Sequence, residues 1–162
     1  MTIRPATAED VPQILPLVKA ICDQHKSWDP VRFDFKDNVV DMYRTWLTAR
    51  AKDGRSVFFV AERDANIVAY LIGTIEPEIP IYQQPECGWI HDIFVHPTYR
   101  HEGIARQLVT LSVEKFAALG VAQVRLQTAA TNETARELFK SCGFRVSTVE
   151  MLVETVAKAG TK

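Results

Sequence analysis

Six consecutive residues, Arg100-His101-Glu102-Gly103-Ile104-Ala105, have the make-up of an anion cradle. Gly103 and Ala105 carry little or no side chain, so a ligand can approach the backbone there. If a helix starts at Gly103, its first N–H groups have no partner inside it. Together with the positive end of the helix dipole they suit a pyrophosphate. Arg100 and Arg106 could add charge-assisted contacts to phosphate oxygens. The plain alternative is a loop whose glycine only turns the chain. The run is not a dinucleotide fingerprint, which needs G-x-G, nor a P-loop, which needs G-K-[ST]. His91, His96 and His101 recur at intervals of five on a strand and two loops. That is not the i,i+4 helical pair of a zinc hydrolase, and no metal site is expected.

The elements that must position this loop follow from apolar spacing. Residues 2–4 read as a short strand, and Thr7-Ala8-Glu9-Asp10 as a capping box with Asp in the usual Glu place. Val11, Ile14, Leu15, Val18, Ile21 and Cys22 then recur at helical spacing, and residues 23–34, broken by Pro30, read as a loop. A second helix carries Val39, Val40, Tyr43, Trp46 and Leu47 on one face. Residues 56–61 and 67–75 form a hairpin about a turn at 63–66. Residues 76–88 hold Pro77, Pro80 and Pro85 and read as a loop, before a strand at 89–95. A loop at 97–102 leads into a helix over 103–119, closed by Gly120. A strand at 121–128, a short helix at 132–142 and a final strand at 144–153 complete an α/β order, β-α-α-β-β-β-α-β-α-β.

The chain has 162 residues, 47 % apolar and 24 % charged, which fits one globular domain over residues 1–162. A net charge of −1 gives no global attraction to nucleic acid or to an anionic membrane, and neither is expected as a partner. Cys22, Cys87 and Cys142 are odd in number and include no C-x-x-C, so neither a disulfide framework nor a zinc site is indicated. The start, Met1-Thr2-Ile3-Arg4-Pro5, lacks the apolar stretch of a signal peptide. No apolar run approaches the roughly 18 residues of a membrane span. A cytoplasmic location is the expectation.

Two runs carry a resemblance. Ile90-x-x-Ile93-Phe94-Val95-x-Pro97-x-Tyr99-Arg100-x-x-Gly103-Ile104-Ala105-x-x-Leu108 resembles the coenzyme-loop motif of the GNAT superfamily of N-acetyltransferases. Asn132-x-x-Ala135-x-x-Leu138-Phe139-x-x-x-Gly143-Phe144 resembles the downstream motif of the same family, in order and at the expected distance. The resemblance implies the GNAT acyl-CoA N-acyltransferase fold, a mixed and mostly antiparallel sheet with a bulged central strand, flanked by about four helices. A one-residue bulge would put Ile90, Ile93 and Val95 on one face although their spacing is three and then two. In the family this strand splays from its neighbour and the acyl-pantetheine arm lies in the gap. The implied coenzyme contacts are Ile93, Phe94 and Val95 on the strand, Arg100, His101, Glu102, Gly103, Ile104 and Ala105 in the loop, and Asn132 at the later helix. Acetyl-CoA is the implied cosubstrate, and a primary amine of a small molecule or a protein the implied acceptor. Homodimers are common in relatives and are a fair expectation here.

Acyl transfer needs a neutral amine. An alkyl amine with pKa about 10.4 is neutral in only about one molecule in a few thousand at pH 7, so a base or a desolvating pocket must help. The thiol leaving group, with pKa about 8.5, departs without demanding an acid. The family's usual tyrosine acid aligns with Phe139, and the glutamate base of some members with Gln127; neither residue can take that role. The remaining catalytic candidates are His91 and Asp92 beside the proposed bulge. His91 suits base catalysis or a relay through water, and Asp92 could bind a cationic acceptor. Tyr82 and Tyr99 could give a proton to sulfur, Tyr99 being equally explicable as packing. Trp28, Trp46, Tyr43 and the acidic Asp29, Asp34, Glu76, Glu78 and Glu86 fall in segments that cover the acceptor side in this fold. A coenzyme-binding module without chemistry is the alternative, motivated by Phe139 and Gln127.

Overall fold

The computed structural model describes residues 1–155. Residues 156–162, the end of the expected domain, lie outside the described part. Five strands form one sheet in sequence order: β1 (Thr2–Pro5), β2 (Val57–Arg63), β3 (Asn66–Pro77), β4 (Glu86–Val95) and β5 (Val124–Leu126). The first four pair antiparallel, and β4 and β5 pair parallel. A parallel pair needs a crossover, and here α3 (Ile104–Ala118) supplies it. The other helices are α1 (Val11–Trp28), α2 (Val39–Arg50) and α4 (Glu133–Ser141).

The entry to α1 forms as its sequence predicts. The Thr7 N–H donates to Asp10 Oδ2 at 2.8 Å, and Arg4 donates through both terminal nitrogens to the Asp10 carboxylate at 2.7 Å. A fork of that kind is the strong form of a charge-assisted bond. Two apolar layers then cover the sheet. On one face Ile14, Val18, Cys22 and Leu47 from α1 and α2 pack on Phe58, Tyr70, Ile72 and Phe94. On the other, Ile104, Leu108 and Phe116 from α3 and Phe139 from α4 pack on Val57, Leu71 and Ile90. Phe116 lies so close over the sheet that a Cβ added to Gly73 or Gly88 would sit 2.8 Å from its ring, which accounts for glycine at both strand positions.

Four boundaries differ from the reading of the sequence. Helix α1 runs six residues past Cys22, because a polar stretch without proline or glycine can continue a helix whose other turns are anchored. Strands β3 and β4 reach Pro77 and start at Glu86, so only residues 78–85 remain as loop. Strand β5 has three residues instead of eight. The final strand at 144–153 does not form: residues 144–155 carry no regular structure, and Met151 is 91 % exposed. Strand propensity is realised only against a partner, and the three-residue β5 offers little edge to pair with.

Candidate active site

The middle of β4 is irregular. Ile72 pairs with Asp92 and the next residue, Gly73, pairs with Ile90, which leaves His91 as the extra residue of a bulge. Ile90, Ile93 and Val95 accordingly belong to the α3/α4 face, as their spacing predicts. The bulge also sends two adjacent side chains toward α2. The His91 ring meets the Trp46 ring edge-on at 5.3 Å, and the Asp92 carboxyl lies near the Tyr43 hydroxyl. A regular strand would have pointed them to opposite faces.

The bulge marks the point where the sheet opens. Gly88, Trp89 and Ile90 pair with Val124, Arg125 and Leu126, and there β5 ends. Ile93, Phe94 and Val95 pair with Leu71, Tyr70 and Ala69 of β3, and among the described residues no strand pairs with their other edge. An unpaired strand edge offers backbone donors and acceptors to any extended chain laid against it. Beyond Val95, a turn at Pro97–Tyr99 carries the chain to the N-terminus of α3. His101 and Gly103 both adopt left-handed backbone, with φ 66° and 79°. A non-glycine residue held there costs about 1 kcal/mol or more, and such strain gathers at ligand-binding turns. The first α-helical bond runs from Gln107 N to Gly103 O, so the N–H groups of Ile104, Ala105 and Arg106 have no acceptor within the helix. A Cβ on Gly103 would meet only Gln107 Nε2, at 3.9 Å, so the cradle is open to a ligand. The residues present thus fit a pyrophosphate at the helix terminus.

The polar side chains around the loop are partly occupied. Arg100 donates from Nε to Val95 O at 3.1 Å and lies 5.5 Å over the Phe94 ring. Glu102 pairs with Arg63 at 2.5 Å, leaving its backbone toward the loop as its possible contribution. Arg106 turns to the Ser141 carbonyl at the end of α4, away from the role of a phosphate ligand. Asn132 caps α4 by accepting from Ala135 N at 3.1 Å. Tyr99 stacks beneath the Arg63 guanidinium at 5.1 Å, a packing role, and Tyr82 is exposed in the 78–85 loop.

His91 Nε2 stands 2.6 Å from Thr74 Oγ1, which is 2.5 Å from Glu76 Oε1. This chain of contacts is absent from the reading of the sequence, because Thr74 and His91 are 17 apart and meet only through the β3–β4 register. Burial pulls the His91 pKa below its ordinary value, and Glu76 pulls it the other way. Asp92 is only 7 % exposed, so it lies beneath the surface that an acceptor would meet. Burial raises its pKa to about 6, a shift that the nearby Tyr43 hydroxyl opposes. Its Oδ2 and the Tyr70 hydroxyl are buried without hydrogen-bond partners. Of the acidic residues on this side, Glu78 is paired with Arg125, Glu86 with Arg55 at 2.8 Å, and Asp29 accepts from the backbone of Val31 and Arg32. Phe139 is 6 % exposed against Phe144, and Gln127 donates to Glu150 at 3.1 Å, so neither replaces the missing acid or base. Among the described residues no three His, Cys, Asp or Glu side chains gather as a metal site would need, and no helix is long and apolar enough to cross a membrane.

A sheet opened at a bulge, with a helix N-terminus at the end of the gap, is the architecture of a GNAT-type acyltransferase. The model of the Acetyltransferase (GNAT) family matches residues 19–144, and this chain belongs to that family. It is 27 % identical over 145 residues to an uncharacterized N-acetyltransferase of Archaeoglobus fulgidus, covering 90 % of this chain and 93 % of that one. To the uncharacterized N-acetyltransferase MJ1207 of Methanocaldococcus jannaschii it is 31 % identical over 144 residues, covering 88 % of this chain and 60 % of the relative. Among solved structures, a variant of the BH1408 protein of Bacillus halodurans superposes with a TM-score of 0.82 at 24 % identity, covering 96 % of this chain and all of that one.

Proposed function

We propose that this protein moves an acetyl group from acetyl-CoA to a primary amine, of a small molecule or a peptide, by direct attack of the amine on the thioester. The observation that carries this is the edge of β4 at Ile93–Val95, unpaired by any strand among the described residues and engaged only by Arg100 at the Val95 carbonyl, leading from the His91 bulge to the free N–H groups of α3. The N–H groups of Ile104 and Ala105 would hold the pyrophosphate, with Arg100 beside them and the His101–Glu102–Gly103 turn shaping the approach. The backbone of Ile93, Phe94 and Val95 would pair with the pantetheine arm, and Asn132 would line its far side. When bound, the coenzyme supplies an activated acyl group and a thiolate leaving group that needs no strong acid, which suits a site where Phe139 replaces the tyrosine.

In this reading His91 is the base. Its side chain is 30 % accessible, so it reaches both the site and its partners, the buried Thr74 and the half-exposed Glu76. Burial keeps it neutral at neutral pH, which a proton acceptor requires. Asp92, buried beside it in the chain, would act at most through its charge. The acceptor and a second copy of the chain are the proposed partners. Exposed Val146, Val149, Met151 and Leu152, in the segment whose Glu150 accepts from Gln127 just past β5, support a homodimer. Three free cysteines fit a reducing cytoplasm.

Steady-state thiol release from acetyl-CoA across a panel of amines tests the reading. His91→Gln is expected to lower kcat by about 10²–10⁴-fold and to leave coenzyme affinity within about twofold. An unchanged kcat would remove His91 from the mechanism. A coenzyme-binding module without chemistry is the second reading, favoured by the burial of Phe139, and it requires tight coenzyme binding with no turnover of any amine.

A further inference from the structure

The hydrogen bonds around His91 carry more than its position. Glu76, with 46 % of its side chain accessible, is a carboxylate and can only accept. Thr74 has one hydroxyl proton, and Oγ1 lies within bonding distance of both Glu76 Oε1 and His91 Nε2. Its proton must therefore go to Glu76, because nothing else in the contact can supply one. The lone pairs of Oγ1 are then left to accept, and among the described residues their partner is an N–H on His91 Nε2. The direction of the whole chain follows from its carboxylate end.

We infer that Thr74 and Glu76 are positioning residues that fix His91 as the Nε2–H tautomer, leaving Nδ1 as the nitrogen that takes the proton from the attacking amine. This rests on the reading of His91 as the base. In the step itself the amine nitrogen bonds to the thioester carbonyl carbon and loses a proton to Nδ1. The C–S bond then breaks with its electron pair on sulfur. The imidazolium that forms presents Nε2 to Oγ1 and, 3.6 Å away, to Glu76 Oε1, so the same carboxylate that sets the tautomer also faces the new charge. The Trp46 ring, edge-on to the imidazole at 87°, limits its rotation. The groups facing His91 are thus Thr74 and Glu76 from β3 and Trp46 from α2, with the buried Asp92 next to it in the chain. The arrangement has the logic of any base oriented by a third group: what is bonded at one ring nitrogen decides what the other can do.

Nitrogen-15 NMR of the ring, on the full chain with histidine labelled, reads the tautomer without any turnover. The expected spectrum has a protonated Nε2 and a bare Nδ1 for His91 above its pKa; a proton on Nδ1 overturns the inference. Thr74→Val is expected to lower kcat by roughly 10–100-fold with KM for acetyl-CoA nearly unchanged, the scale of losing one hydrogen bond to a group that becomes charged. Thr74→Ser should restore most of that loss. A Thr74→Val protein that folds and keeps full kcat overturns the positioning role, as does a Thr74→Ser protein no better than Thr74→Val. The two readings fail separately. Full activity in His91→Gln removes the base whatever the tautomer, whereas an inactive His91→Gln with the wild-type proton on Nδ1 keeps the base and removes Thr74 and Glu76.

Discussion

Asp92→Asn exchanges a buried carboxyl for an amide of nearly the same shape. The carboxyl has one oxygen with no hydrogen-bond partner, and burial raises its pKa from 3.8 to about 6. Each pKa unit is worth about 1.4 kcal/mol, so ionised Asp92 costs the folded state about 3 kcal/mol relative to the unfolded chain. Proton counts give the sign. Between about pH 4 and pH 6 the unfolded chain has released this proton while the folded chain still holds it, so stability falls as pH rises through that window. Below the window the neutral acid and the amide are equivalent, and wild type and variant should unfold alike. At pH about 7.5 the variant should be the more stable, by up to about 3 kcal/mol. Urea unfolding of both proteins across this range measures the difference, and titrations elsewhere cancel in it. A variant that is less stable at the higher pH, or a difference that ignores pH, would refute the reasoning, because it would mean that the carboxylate is compensated inside the fold.

Other substitutions probe the frame around the site. Asp10 behaves oppositely to Asp92: the Arg4 fork holds its pKa down to about 2, so Asp10→Asn should lose about 2 kcal/mol at neutral pH. That deficit should close as pH falls from about 4 to about 2, again read by urea unfolding. Gly73→Ala drives a Cβ to 2.8 Å from both the Phe116 ring and the Trp89 carbonyl, and should cost about 1–3 kcal/mol, seen as a lowered Tm. Gly103→Ala meets open space but must hold φ 79°, and should cost about 1 kcal/mol of stability together with weaker coenzyme A binding by calorimetry.

The half of the chain proposed to bind coenzyme was legible because its constraints are local. A glycine that must turn left-handed, a helix start and two apolar faces each leave a mark within a few residues, whereas the three-then-two spacing of Ile90, Ile93 and Val95 pointed to the bulge only together with the family resemblance. Where spacing alone decided an element, the reading was weaker. Residues 144–153 have strand composition but no edge to join, and residues 23–28 have loop composition but continue an anchored helix. The polar partners of the site were the least legible. Thr74 and Glu76 meet His91, and Tyr43 meets Asp92, only after the β3–β4 register and the packing of α2 are set. The burial that lifts the Asp92 pKa is likewise a property of the assembled core.

The central claim is acetyl transfer from acetyl-CoA to an amine, and its most direct test follows both products at once. Acetyl-CoA is incubated with the protein and a set of primary amines, thiol release is recorded, and the amines are analysed by mass spectrometry. The account predicts that at least one amine becomes heavier by one acetyl group in step with the thiol released, and that His91→Gln suppresses both signals while still binding coenzyme A. Tight binding of coenzyme A with no acetylated product from any amine would contradict it.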